Sequence, residues 1–118
     1  MSELDKALEL CVELGKILSE TGEYKKMKRA EYDMLHDSVA RGLMENLQAL
    51  QVEMRKKQLA GMQITEEENK KLKEVEEMTL KNPVVKASHQ ANADFQALMG
   101  KVSAKIREGI RQNEPMRQ

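Results

Sequence analysis

Apolar residues recur three and four positions apart along most of the chain, and each run is bounded by a helix start or stop signal. Leu4, Ala7, Leu8, Cys11, Leu14, Gly15 and Leu18 make the first such face and predict a helix over 3–21. Ser2 stands at its N-cap, with Asp5 three residues on to complete a capping box, and Gly22 stands where a terminating glycine is expected. Residues 23–60 leave two readings open. In one, Tyr24, Met27, Met34 and Leu35 form a short second helix and Asp37 caps a third. In the other, a single rod runs through Gly42 at a cost of about 1 kcal/mol. Either way Val39, Leu43, Leu47, Leu50 and Met54 keep a near-heptad stripe over 38–60, ended by Gly61.

Thr65 and Glu68 form a second capping box, opening a fourth helix on three glutamates that suit the positive end of its dipole. Leu72, Val75 and either Met78 or Thr79 are its narrow stripe. A residue before proline is pushed out of the α region, as an N-cap must be, so Asn82 reads as the N-cap and Pro83 as the first residue of a fifth helix. That helix is expected over 83–111. Val84 and Val85 lie in its first turn, and Ser88, Ala91, Phe95, Leu98, Val102, Ile106 and Gly109 or Ile110 follow along its stripe. Residues 112–118 read as a frayed tail.

The expected fold is all-α: one helical domain over 1–118, an elongated bundle of four to five helices with a long C-terminal helix. A helix of roughly 28 residues is about 42 Å long. It outruns a compact domain of this size, whose radius of gyration is about 13.5 Å. The stripe Val84, Val85, Ala91, Phe95, Leu98, Val102, Ile106 and Ile110 is therefore expected to pack within the chain or in a homo-oligomer, a dimer being favoured.

Composition agrees with helices: aromatic residues are 3%, charged residues 34%, and nine methionines supply apolar volume. Twenty basic residues balance twenty acidic ones, so the chain lacks the overall basic excess that favours non-specific binding to nucleic acid or membrane. No apolar run approaches a membrane span, and the acidic opening MSELDKALEL lacks the basic region of a secretory signal; a soluble cytoplasmic protein is expected.

Candidate chemistry is thin. The lone Cys11 sits on the apolar face of the first helix and reads as a small buried hydrophobe. His36 is followed by Asp37, which does not share its face. His89 has Ala93 at i+4 and Val85 at i−4, so no helical metal pair forms, and Asp94 lies five residues on. The acidic runs 66–68 and 74–77 lack the spacing of a calcium loop. No catalytic group, metal site, cofactor or small-molecule substrate is expected. The basic cluster Lys25, Lys26, Lys28 and Arg29 is the candidate patch for an acidic partner or RNA, with Tyr24 and Tyr32 beside it. Met27, Met34, Met44 and Met62 lie near element ends, where methionine also lines partner-binding surfaces.

The order of these features resembles the YlbF/YmcA family of small bacterial helical proteins, in particular its YheA-like branch. The likeness runs over about 4–110. It is carried by Asn82, Pro83, Val84 and Val85, then Ala91, Phe95, Leu98, Val102, Ile106 and Ile110, and more loosely by ALELCVELGKILSETGEYKKMKRAE and LQALQVEMRKKQLAG. The resemblance implies an all-helical, self-associating cytoplasmic protein. Some relatives regulate competence, biofilm formation and sporulation in a complex that influences an RNA-degrading endonuclease. Certain of them carry cysteines linked to an iron–sulfur cluster; here Cys11 stands alone.

Overall fold

The computed structural model describes residues 2–115 and is all-helical over them, with no strand among the described residues. The helices are α1 (Glu3–Leu18), α2 (Gly22–His36), α3 (Ser38–Leu59), α4 (Glu66–Lys81) and α5 (Pro83–Gln112). At 30 residues, α5 is about 45 Å long. Of the tail expected over 112–118, Gln112 ends α5 and 116–118 lie outside the described residues.

Most starts are made by short side chains that satisfy orphan N–H groups. The Ser2 hydroxyl accepts from the Asp5 N–H, and the Asp5 carboxylate accepts from the Ser2 N–H. Asp37 has an extended backbone and its Oδ1 accepts from the Ala40 N–H at 2.9 Å, so the chain breaks there and α2 and α3 are separate helices. Thr65 and Glu68 exchange the same pair of bonds. Asn82 Oδ1 accepts from both Val84 (2.9 Å) and Val85 (3.2 Å), and Pro83 is the first residue of α5.

The stops follow a different rule at each end. Gly61 has φ 75°, its N–H donates to the Gln58 carbonyl, and the Met62 N–H reaches back to the Lys57 carbonyl at 2.9 Å. Those two bonds are a Schellman motif, which turns α3 out toward α4. Gly22 does not play this part for α1, contrary to the sequence expectation. The helix closes at Leu18, where Ser19 and Thr21 hydroxyls donate to the Lys16 and Leu18 carbonyls. The Thr21 Oγ1 then accepts from the Tyr24 N–H, so two hydroxyls make the joint and Gly22 is the first residue of α2.

The chain divides into two compact units. Unit 2 spans 29–89: the end of α2, all of α3 and α4, and the start of α5. The α3–α4 hairpin is its most closely packed pair. Ala30, Ala40, Leu47, Met54, Thr79 and Val85 are buried there. Of the alternatives at the end of the α4 stripe, Thr79 is the one inside. Its hydroxyl donates to the Val75 carbonyl at 2.6 Å, which lets a polar residue be fully buried. Met78 is exposed, as is Val39, whose expected core position is taken by Ala40.

Unit 1 comprises 1–28 and 90–118, that is α1, the opening of α2, and α5 from Gln90. Its interior is thin. Ala91 is buried; Leu14, Leu18, Tyr24, Met27, Phe95, Leu98, Met99 and Val102 are half-buried. The Tyr24 and Phe95 rings meet at 5.8 Å and 59°, a tilted aromatic pair. A shallow groove of about 400 Å³ is lined by Leu14 of α1 and by Lys101, Val102, Lys105 and Ile106 of α5. Leu14 of α1 thus shares a groove with residues 101–106 of α5, and Tyr24 of α2 meets Phe95 of α5.

Candidate functional site

Among the described residues, no group of three or more His, Cys, Asp or Glu side chains is placed to hold a metal ion. His89 is exposed, and Asp94 accepts instead from the Gln90 amide at 2.9 Å. His36 lies stacked on Tyr32 at 3.9 Å, with Nδ1 2.8 Å from the Tyr32 carbonyl oxygen. Cys11 is exposed, which corrects the expectation of a buried hydrophobe: only Leu14 and Leu18 of α1 are even half-buried, and no described residue buries the thiol.

One polar cluster links two elements. Lys57, near the end of α3, pairs with Glu68 in the first turn of α4, and Glu53 lies 3.9 Å from the same ammonium. Glu68 also accepts from Thr65, so the ion pair and the capping box share a carboxylate. The Lys57 hydrogen bond, and after it the Thr65 N–H, hold the Glu68 carboxyl below the ordinary carboxylate range. Glu68 in turn raises Lys57. Both groups are engaged in joining α3 to α4.

The basic cluster lies on α2. Lys25, Lys26 and Arg29 are exposed, and the Lys28 ammonium lies 5.9 Å from the centre of the Tyr24 ring. Of the methionines near element ends, Met27, Met34 and Met44 are half-buried and Met62 is exposed.

The α5 stripe is covered unevenly. Val85 is 4% exposed and Ala91 is buried; Val84, Phe95, Leu98 and Val102 are half-buried; Ile106 and Ile110 are more than half exposed. On α1, Leu4, Leu8, Leu10, Val12 and Ile17 are all more than half exposed. The sequence pattern had placed Leu4 and Leu8 on an inner face. The signal against that was present: Leu10, Val12 and Ile17 fall outside the three-four stripe, so α1 is apolar over more of its circumference than one neighbour covers. The uncovered ends of α1 and α5 thus leave large apolar side chains exposed in unit 1.

No described helix is long and apolar enough to cross a membrane. Residues 7–111 match the sequence model of a family described as control of competence regulator ComK, YlbF/YmcA. A UPF0342 protein of Levilactobacillus brevis is 30% identical over 106 residues, spanning 90% of this chain and 93% of that one. UPF0342 proteins of Alkalihalophilus pseudofirmus and Halalkalibacterium halodurans are each 29% identical over 98 residues, covering 83% of this chain and 83% and 84% of theirs. No solved structure shows a significant match. With nearly all of its helical region matched, the chain belongs to the YlbF/YmcA family.

Proposed function

We propose that this protein is a non-enzymatic cytoplasmic interaction protein, an adaptor or regulator in the kind of control its family is named for. The observation that carries this reading is the family match over 7–111, and the exposed apolar helix faces agree with it. Large apolar side chains left in water on rigid helices are what a protein-binding module presents. The ion-paired Lys57 and Glu68 are engaged in joining two helices.

The test is capture of the tagged protein from its native cytoplasm, with competence measured in a deletion strain. Recovery of one defined regulatory partner, together with altered competence, supports the reading. A deletion strain with unchanged competence and no specific partner overturns it.

A second reading is favoured by one observation: Lys25, Lys26 and Arg29 are exposed on the helix that also carries Tyr24 and Tyr32. This makes the protein an RNA-associated factor. RNA affinity should then fall steeply with salt as phosphate counterions are released, and should drop when Lys25, Lys26 and Arg29 are replaced by Gln. No binding at low salt disposes of it.

A further inference from the structure

The joint between α2 and α3 holds an aromatic pair in water. Tyr32 is 60% exposed and His36 is exposed, yet their rings stack with centres 3.9 Å apart and planes 22° from parallel. The imidazole is anchored as well as stacked, with Nδ1 2.8 Å from the Tyr32 carbonyl oxygen. A carbonyl oxygen only accepts, so Nδ1 bears the hydrogen and Nε2 keeps a lone pair to accept with. Two guanidinium groups border the stack. At about 100° per residue, Arg29, Tyr32 and His36 fall within about 60° of one another round α2, away from buried Ala30 and half-buried Met34. Arg41 reaches back from α3, and its Nη1 donates to the Leu35 carbonyl at 3.2 Å, one residue before His36.

We infer that this joint is a platform for single-stranded RNA: an unpaired base stacks on the Tyr32–His36 pair, and Arg29 and Arg41 hold neighbouring phosphates. This rests on the RNA reading above and deepens it, because it adds Tyr32, His36 and Arg41 to the lysines and Arg29 of that reading. Helix capping accounts for only part of the arrangement. It uses His36 Nδ1 and one guanidinium nitrogen of Arg41 on carbonyls at the end of α2. The rest of that guanidinium, the imidazole Nε2 and the exposed Tyr32 ring have no part in it, and a cap requires no aromatic ring in water.

The chemistry selects the occupant. In a duplex the base faces lie against one another, so a side-chain platform serves unpaired bases. Aromatic stacking is indifferent to base identity, since every base has a π-face. Guanidinium groups suit phosphate, presenting several N–H donors in a fixed fork. Arg29 stands about one turn before the stack and Arg41 at its C-terminal end, so cation, rings and cation follow one another as phosphate, base and phosphate do along a strand. Nearby acids do not cancel the two cations. Asp37 Oδ1 is engaged by the Ala40 N–H. Glu31 lies about 120° round α2 from the stack, and Asp33, about 40° from Arg29, borders the platform on one edge.

Fluorescence anisotropy at low salt tests this, with a short labelled oligoadenylate presented single-stranded or annealed to its complement. The single strand should bind, and the duplex should bind about tenfold more weakly or worse. Tyr32→Leu and His36→Leu should each weaken the single strand by about fivefold or more, the loss of a base–aromatic stack. Arg29→Gln and Arg41→Gln should each lower the slope of log affinity against log salt by about 0.7, one phosphate contact. A residue that only caps a helix leaves that slope unchanged. No binding of either form ends the RNA reading and this platform together. Binding that falls on replacing Lys25 and Lys26 by Gln but ignores both Leu variants, or that treats duplex and single strand alike, keeps that reading and overturns the platform. If a Leu variant loses helicity, tyrosine emission decides. The chain has two tyrosines and no tryptophan, so Tyr24→Phe leaves Tyr32 as the sole emitter of its kind. Unlabelled oligoadenylate should quench that emission as it binds; binding without quenching overturns the platform.

Discussion

Gly61 and Gly42 offer the same substitution with opposite expected signs. Both belong to unit 2, and an added Cβ meets nothing within 4 Å at either. Steric clash with neighbours therefore drops out and the backbone decides. Gly61 sits at φ 75°, where an L residue costs about 1–2 kcal/mol. Alanine also restricts the unfolded chain, which returns about 0.4–1 kcal/mol. Gly61→Ala should therefore destabilise by roughly 0.5–1 kcal/mol. Gly42 lies inside α3 with ordinary helical geometry, so Gly42→Ala should stabilise by about 0.5–1 kcal/mol. The two variants should differ by about 1–2 kcal/mol. With a urea slope within the usual 1–3 kcal/mol/M, their midpoints should separate by roughly 0.3–2 M in helicity-monitored unfolding. Coincident midpoints, or Gly61→Ala the more stable, would refute the left-handed turn after α3.

Met54→Ala should cost about 2–5 kcal/mol in urea unfolding, since the side chain is only 7% exposed on the α3 core face. Asn82→Ala leaves the Val84 and Val85 N–H groups without their side-chain acceptor and should cost about 0.5–2 kcal/mol, read as a lower thermal midpoint. Phe95→Ala removes a half-buried ring paired with Tyr24, so about 2 kcal/mol is expected rather than the 3–5 of a sealed core; a loss above 4 would mean the ring is fully enclosed. The lowered Glu68 pKa sets a pH dependence: its contribution is complete above the ordinary value of 4.5 and is lost as pH falls through the lower folded value. Glu68→Gln should therefore flatten the acid limb of the stability–pH profile, and an unchanged limb would show that the Lys57 pair contributes nothing to it.

The helix ends were the most legible part of the sequence. Ser2 with Asp5, Asp37, Thr65 with Glu68, Asn82 with Pro83, and Gly61 all act where their residue types place them. Each acts through bonds that span only two to five residues, so nothing distant can override it. Gly22 misled for the same reason in reverse. A glycine after a helix is a generic stop signal, but two hydroxyls nearby, Ser19 and Thr21, had already closed α1. Choosing between neighbours on a face was harder. Ala40 rather than Val39, and Thr79 rather than Met78, point inward, although the rejected residue is the more apolar in each pair. Close helix approach favours the smaller side chain, and Thr79 removes its own polar cost by bonding Val75.

Burial is a property of neighbours, and periodicity does not contain them. The α5 stripe keeps steps of three or four from Ala91 to Ile110, yet cover declines along it, from buried Ala91 through half-buried Phe95, Leu98 and Val102 to exposed Ile106 and Ile110. Leu14 of α1 is half-buried beside the groove it shares with Val102 and Ile106, while Leu4 and Leu8 stay in solvent. Cys11 follows the same logic: an apolar position predicts burial only if something arrives to bury it. A stripe that outlasts its own chain's cover points outward. The candidate surface is therefore found where the sequence pattern and the observed burial disagree.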